Sequence, residues 1–351
     1  MVLPNNCYLD RISTAEHVVP PRQPNYNRAM LRRHFLSKIA AGAALARPFS
    51  ALGQQPPAAG DVFVEGPASG QPHKGKVLLA VQAHSDDVPL SAAGTVAKLI
   101  EEGYTGYLLR ATNDDMGDAA GLGTPGTVGE NVLGNERDNA EVARVLGCRR
   151  VFDLNYGNHR MGDVSLNELI SRLILIIRAV KVDTVVCWDP WAHDEENPDH
   201  YMIARGIEAA CWMAGRPHDY PEQLAAGLQV HAVTDKYYFA RRPEITRVVD
   251  VSRQIEKVVD CNRANVAKGP AGHLGSRLRD ELARQGKKLP LVAGDDLTAD
   301  RNYIREFVMA RRRELGRRYG VEYAEAFHYI GPRGGRSARE EYVERNSVRA
   351  K

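Results

Sequence analysis

Cysteines, aromatic residues and long apolar runs are all scarce in this sequence. Its 351 residues hold five cysteines (Cys7, Cys148, Cys187, Cys211 and Cys261), an odd number with no CxxC spacing. This excludes a disulfide framework or a cysteine zinc knuckle and leaves the thiols as small hydrophobes. No apolar stretch approaches the ~20 residues that a membrane-crossing helix needs, so no stable span is expected. Neither sign of charge dominates: 47 Lys and Arg face 44 Asp and Glu, a net +3. Such a balance offers no electrostatic footprint for nucleic acid. Internal repeats are missing too. What is present, 43% hydrophobic and 26% charged residues, suits a globular enzyme with ample chain for one core.

The basic excess belongs to the N-terminus, where residues 1–60 carry seven Lys/Arg against two Asp/Glu. From Met30 the chain reads as a basic segment, then Ile39 to Ala46 (IAAGAALA), then Arg47-Pro48. That is a secretory pattern. Arg32-Arg33 followed by Phe35, Leu36 and Lys38 resembles the bacterial twin-arginine signal. The expectation is an exported protein, periplasmic or extracellular, with its address starting at Met30 and a linker running on to residue 60. An amphipathic helix opening the domain is the other reading, disfavoured by the Ala/Gly-rich, Pro-flanked composition.

In the body, Lys76 to Gln82 (KVLLAVQ) is a nearly continuous apolar run, as expected of a strand buried on both faces of a parallel sheet. Leu90 to Glu102 has helical spacing and ends at Gly103. Further strands are expected at 104–112, 150–154, 184–189, 231–239, 247–251 and 323–330. Helices are expected at 135–146, 166–180, from about 200 to 215, and 301–319. This alternation predicts an α/β fold: a Rossmann-like, mostly parallel sheet with helices on both faces, in a single domain over 61–335. Residues 268–300 read as an insertion or lid, and 336–351 as a charged tail.

Two polar clusters sit where such sheets bind ligands, beyond the strand C-terminal ends. Ala83-His84-Ser85-Asp86-Asp87 follows the first strand; Asn197-Pro198-Asp199-His200 follows the fourth. Two imidazoles and a carboxylate suit zinc, with one tetrahedral position left over. Either cluster alone also reads as a helix cap, but together on one sheet edge they point to a site. Asp86, on the other side of the turn from Asp87, is placed to serve as general base.

The AHSDD segment resembles the AHPDD(E) signature of the PIG-L/LmbE family of N-acetylglucosaminyl deacetylases. NPDH resembles that family's HPDH, and Tyr323 to Phe327 (YAEAF) its closing strand. The resemblance covers about residues 75–330. It implies a Rossmann-like fold and a divalent cation, zinc or alternatively Fe2+, held by His84, Asp87 and His200. It also implies Asp86 as base, Asp199 orienting a ligand imidazole, and removal of an N-acetyl group from an amino-sugar conjugate or similar amide. The departures are Ser85 for Pro, Val88 for an acid, and Asn197 for the first His of HPDH, which in the family looks like the residue that polarises the carbonyl. Asn197 can donate a hydrogen bond but cannot act as an acid; His193 is a candidate substitute, or a plain loop histidine. Asn113 and Asp115 reach substrate hydroxyls or form a solvated turn. Arg137 lies near a family substrate-binding arginine. Trp191 and Trp188 stack on a sugar or pack in the core. His273 reads as a loop residue and Arg311-Arg312-Arg313 as a solvated helix face. The expected partner is a small-molecule or glycoconjugate substrate, with a homo-oligomer left open. Two other functions remain: a catalytically weak carbohydrate-binding domain that keeps the metal, and a metal amidase or esterase on non-sugar substrates.

Overall fold

The computed structural model describes residues 62–116, 127–240, 242–332 and 338–348. The signal-type segment, Cys7 and the expected linker up to residue 60 lie outside these residues.

The apolar run after Lys76 forms a strand because every residue from Leu78 to Gln82 is buried. In chain order the elements begin with β1 (Phe63–Glu65), β2 (Val77–Gln82), α1 (Asp87–Ser91), α2 (Ala93–Glu101), β3 (Thr105–Thr112) and α3 (Val128–Leu146). There follow β4 (Arg150–Tyr156), α4 (Leu166–Val180), β5 (Thr184–Trp188), α5 (Pro198–Met213), α6 (Pro221–Ala225), β6 (Asp235–Phe239) and β7 (Arg247–Asp250). The chain then runs through α7 (Ile255–Ala264), α8 (Leu274–Arg284), α9 (Asp296–Tyr303), α10 (Ala310–Tyr319), β8 (Ala324–Ile330) and α11 (Ala338–Asn346). Among the described residues no helix is long and apolar enough to cross a membrane.

The strands make one eight-stranded sheet in the order β1-β7-β8-β6-β5-β2-β3-β4, with β8 antiparallel to both its neighbours and every other pairing parallel. The expected Rossmann-like architecture is therefore present. Helices α2, α3 and α7 pack together in one group and α4 with α5 in another, covering the two faces. From β2 the chain steps outward through β3 and β4, then returns to place β5 on the other side of β2. Strand order thus reverses between β2 and β5, and the crevice above that pair is where doubly wound sheets hold ligands.

Three local departures from expectation have physical causes. Strand β1 escapes notice in a Gly/Pro-rich stretch because tertiary contacts make it. It pairs with β7, and Glu65 bonds Lys98 at 2.9 Å and Arg247 at 2.8 Å. The helix expected over 90–102 is two helices, broken at Ala92 (φ −145°). The buried carboxylate of Glu325 accepts from the N–H groups of Gly94 (3.1 Å) and Thr95 (2.8 Å), serving as a remote cap for α2. Gly94 itself lies against Val251, where a Cβ would come within 2.6 Å. Arg312, expected in solvent, is buried and bonds Glu325 at 2.8 Å and the Pro89 carbonyl at 3.1 Å.

The 268–300 segment is largely helical and packed. Asp300 accepts from His273 Nδ1 (2.9 Å) and the Ser276 N–H (2.7 Å). Cys187, Cys211 and Cys261 are buried free thiols, and Cys148 is half-buried.

Candidate metal centre

The turn after β2 is built to aim Asp87. Its Oδ2 accepts from the backbone N–H of Ala83 (2.8 Å) and His84 (2.9 Å), which leaves Oδ1 to face the crevice. The turn is held from outside as well: the Ser85 N–H donates to Asp114 (3.0 Å), and the Val88 N–H to Gln82 (3.1 Å). Val88 is wholly buried in the hydrophobic core. The second loop enters α5 through Asn197, whose side-chain oxygen caps the helix by accepting from the Asp199 N–H at 3.0 Å, with Pro198 in the first turn.

These two loops bring His84, Asp87 and His200 together. Each offers one ligating atom, and the three atoms lie within 4.8 Å of one another. His84 Nδ1 is 3.0 Å from His200 Nε2, while Asp87 Oδ1 stands 3.4 Å from His200 Nε2 and 3.8 Å from His84 Nδ1. Around a tetrahedral zinc with ligands at ~2.0–2.2 Å, donor atoms sit roughly 3.3–3.6 Å apart. The donor set therefore fits a small divalent cation and fills three of four positions.

Each imidazole is oriented from behind. His84 Nε2 meets buried Asp199 Oδ2 at 3.0 Å, and His200 Nδ1 meets Glu195 Oε1 at 3.1 Å. Trp188 stacks on the His200 ring at 3.9 Å and 15°. Carboxylates on the outer nitrogens fix which nitrogen faces inward. Asp199 also accepts from the N–H groups of His159 (2.6 Å) and Met161 (3.1 Å).

The electrostatics agree. Burial pulls His84 down, but the bonds to Asp199 and Asp87 outweigh it and carry the group up to about 10. His200 is likewise lowered by burial, yet the charge of Asp87 raises it on balance. Burial pushes Asp87 upward, but the charge of His200, then the bonds to both imidazoles, hold it well below the usual carboxylate range. Asp199 is also depressed, burial being outweighed by the His84 bond and by the two backbone donors. Bases that cling to protons beside acids that shed them mark a point of strong negative potential, which a cation satisfies. Asp86 behaves in the opposite way: burial, then the charge of Asp87, push its carboxyl up to about 6.

The other expected residues divide. Asn113 and Asp115 close the end of β3; Asn113 Oδ1 accepts from the Asp115 N–H (3.2 Å), and Asp115 Oδ1 holds the Asn158 N–H (2.8 Å). They support the neighbouring loop. Trp191 is 64% exposed with its indole N–H on Glu208 at 3.1 Å, while Trp188 is the aromatic in the site. Arg137 lies exposed on α3, and His193 is exposed on the turn before α5. Among the described residues, no hydrogen bond, ion pair or ring contact ties either one to the three ligands. Unforeseen members are Glu195, Asn158, His159 and Lys268. The Lys268 ammonium is 3.6 Å from Asp114 Oδ1 and largely covered. It is delivered by Asp138, whose carboxylate accepts from the N–H groups of Val266 (2.7 Å) and Ala267 (2.6 Å).

Fold and site together define a doubly wound α/β protein whose switch point carries a His-Asp-His cluster able to hold a cation. The sequence signature of the PIG-L family, described as GlcNAc-PI de-N-acetylase, matches residues 79–211, and the chain carries a domain of that family. Diacetylchitobiose deacetylase from Thermococcus kodakarensis is 27% identical over 197 residues, 56% of this chain and 71% of the relative. A 1D-myo-inositol 2-acetamido-2-deoxy-alpha-D-glucopyranoside deacetylase from Rhodococcus erythropolis is 26% identical over 170 residues, covering 42% of this chain and 56% of the relative. Among solved structures, N,N'-diacetylchitobiose deacetylase from Pyrococcus horikoshii aligns with a TM-score of 0.58 at 20% identity, over 73% of this chain and 84% of that one. The 4-carboxy-2-hydroxymuconate hydratase from Pseudomonas putida aligns with a TM-score of 0.54 at 18% identity, over 75% and 99%. At these identities the structural likeness is one of fold.

Proposed function

We propose that the protein is a metal-dependent N-deacetylase that hydrolyses the acetamide of an amino sugar or amino-sugar conjugate. The observation that carries this reading is the convergence of three donor atoms from two remote loops, with an uncommitted carboxylate, Asp86, next to them. His84 Nδ1, Asp87 Oδ1 and His200 Nε2 would hold the cation, zinc or alternatively ferrous iron. A cation there supplies Lewis acidity toward a carbonyl oxygen and lowers the pKa of a bound water.

The chain's own groups do the rest. Asp199 and Glu195 keep both imidazoles in the tautomer that presents a lone pair inward, and Trp188 fixes the plane of His200. Asp86, with its pKa raised toward neutrality, is matched to accept the proton of the attacking water and return it to the departing amine nitrogen. The substrates named for the Thermococcus and Rhodococcus deacetylases are acetylated amino sugars, which supports the substrate class. The twin-arginine-type segment after Met30 supports action outside the cytoplasm.

The test pairs metal analysis with amine release from N,N'-diacetylchitobiose and N-acetylglucosamine. Asp87→Ala should lose both metal and turnover. Asp86→Ala should keep about one metal ion per chain while kcat falls about 10²–10⁴-fold. Metal binding with no amine release from any acetylated sugar would overturn the deacetylase reading. Release from non-sugar amides or esters alone would move the substrate to that class.

A further inference from the structure

Among the described residues, the contacts given so far assign no side-chain donor to the carbonyl oxygen, where negative charge gathers in amide hydrolysis. Asn197 spends its side-chain oxygen on the α5 cap, and neither its Nδ2 nor His193 has a described contact with the centre. A third histidine does. Beyond β4 the chain turns through Asn158 and His159, and the His159 ring lies 6.0 Å from the His84 ring, centroid to centroid, at 74°. The ring is exposed; no described hydrogen bond or ion pair occupies it.

The backbone there is built to hold this residue in place. The His159 N–H donates to Asp199 Oδ2 at 2.6 Å, the carboxylate oxygen that also holds His84. The preceding Asn158 N–H donates to Asp115 at 2.8 Å, and the Met161 N–H to Asp199 at 3.1 Å. His159 has φ 60°, the left-handed region that glycine occupies freely and a side chain enters rarely. An imidazole kept in a glycine-type conformation, tethered through the carboxylate that orients a metal ligand, and left unpaired at the rim calls for a role at the rim.

We infer that His159 is a substrate-contacting residue, donating an imidazole N–H hydrogen bond to the carbonyl oxygen of the scissile amide. The inference rests on the deacetylase reading, and it draws the donor from a side chain beside a ligand imidazole.

The conformation makes the test clean. His159→Gly keeps the backbone N–H on Asp199 and suits the positive φ, so folding is not at risk. In full-length, metal-loaded protein this variant should lose about 10²–10³-fold in kcat, the usual loss for one such donor. KM should move little, metal content should stay unchanged, and the thermal midpoint should hold or rise. Added imidazole should restore part of the rate, and His159→Gln, which keeps an N–H donor, should lose less than the glycine variant. An equally active glycine variant overturns the inference alone. So does a glycine variant that loses metal, or one whose lost rate imidazole does not rescue. A wild type that binds zinc but releases no amine overturns the deacetylase reading and this inference with it.

Discussion

Replacing Asp199 with Asn tests whether the second loop serves the cation or merely starts a helix. The side chain is fully buried, and its two oxygens are used differently. Oδ1 accepts from the Met161 N–H, while Oδ2 accepts from His84 Nε2, the His159 N–H and, at 3.4 Å, Asn158 Nδ2. An amide has one acceptor oxygen. Its least costly orientation keeps the Oδ2 partners and turns the NH2 toward the Met161 N–H, leaving a buried donor unpaired at about 1–3 kcal/mol. The His84 bond also falls from charge-assisted to neutral, about 1 kcal/mol more. Asp199→Asn should therefore destabilise the fold by about 2–4 kcal/mol. Because His84 loses the group that fixes its tautomer, zinc affinity should fall about 10–100-fold. Competition against a chromophoric chelator measures the affinity, and thermal denaturation the stability. A variant that binds zinc within about twofold of wild type would show that Asp199 does not orient His84 for a metal, and the reasoning would fail.

The centre also predicts how chelation and pH combine. In protein stripped of metal, His84 is raised from 6.5 to about 10, so its contribution to stability is full below about 6.5 and is lost as pH rises through 10. In loaded protein that imidazole is already neutral and engaged, so the gap in melting temperature between loaded and stripped forms should widen from pH 6.5 to 10; a constant gap would contradict the assignment. Away from the site, Gly275 is packed so that a Cβ would meet the Ala299 carbonyl oxygen at 2.1 Å. Gly275→Ala should cost about 1–3 kcal/mol by forcing α8 from α9, read as a lowered melting temperature with unchanged metal content; an unshifted midpoint would show that this segment is loosely packed.

What could be read from the residues followed the strength of local pattern. Strand β2 holds an apolar run of five residues, Val77 to Val81, and α4 is a helix of unbroken 3.6 spacing; both lie where the pattern puts them. His84, Asp87 and His200 were legible because three ligand types stood at strand ends on a sheet whose parallel order the alternation implied. Glu195 was not, since an acid in an acidic turn carries no period and shows its purpose only once His200 Nδ1 is seen against it. His159 escaped because β4 runs to Tyr156, two residues past its expected end, which moves the crevice edge onto Asn158 and His159. Arg312 and Glu325 form a buried pair 13 residues apart. Its role in capping α2 depends on contacts more than 200 residues distant in the chain.

The departure at Asn197 is easier to understand in this geometry than as a missing histidine. Its oxygen caps the turn that delivers both Asp199 and His200, so the substitution keeps that loop in place. The frame, from the Asp87 backbone clamp to the Asp199 and Glu195 props, is tied down by buried hydrogen bonds that tolerate little change. Asp86 shares the turn that carries His84 and Asp87, whereas His159 and Lys268 come from the loops after β4 and α7. A hydratase shares this fold, so the sheet alone does not dictate hydrolysis. In the function proposed above, the reaction is decided by groups beside the three ligands: the Asp86 carboxyl, pushed up to about 6, and the His159 imidazole next to His84.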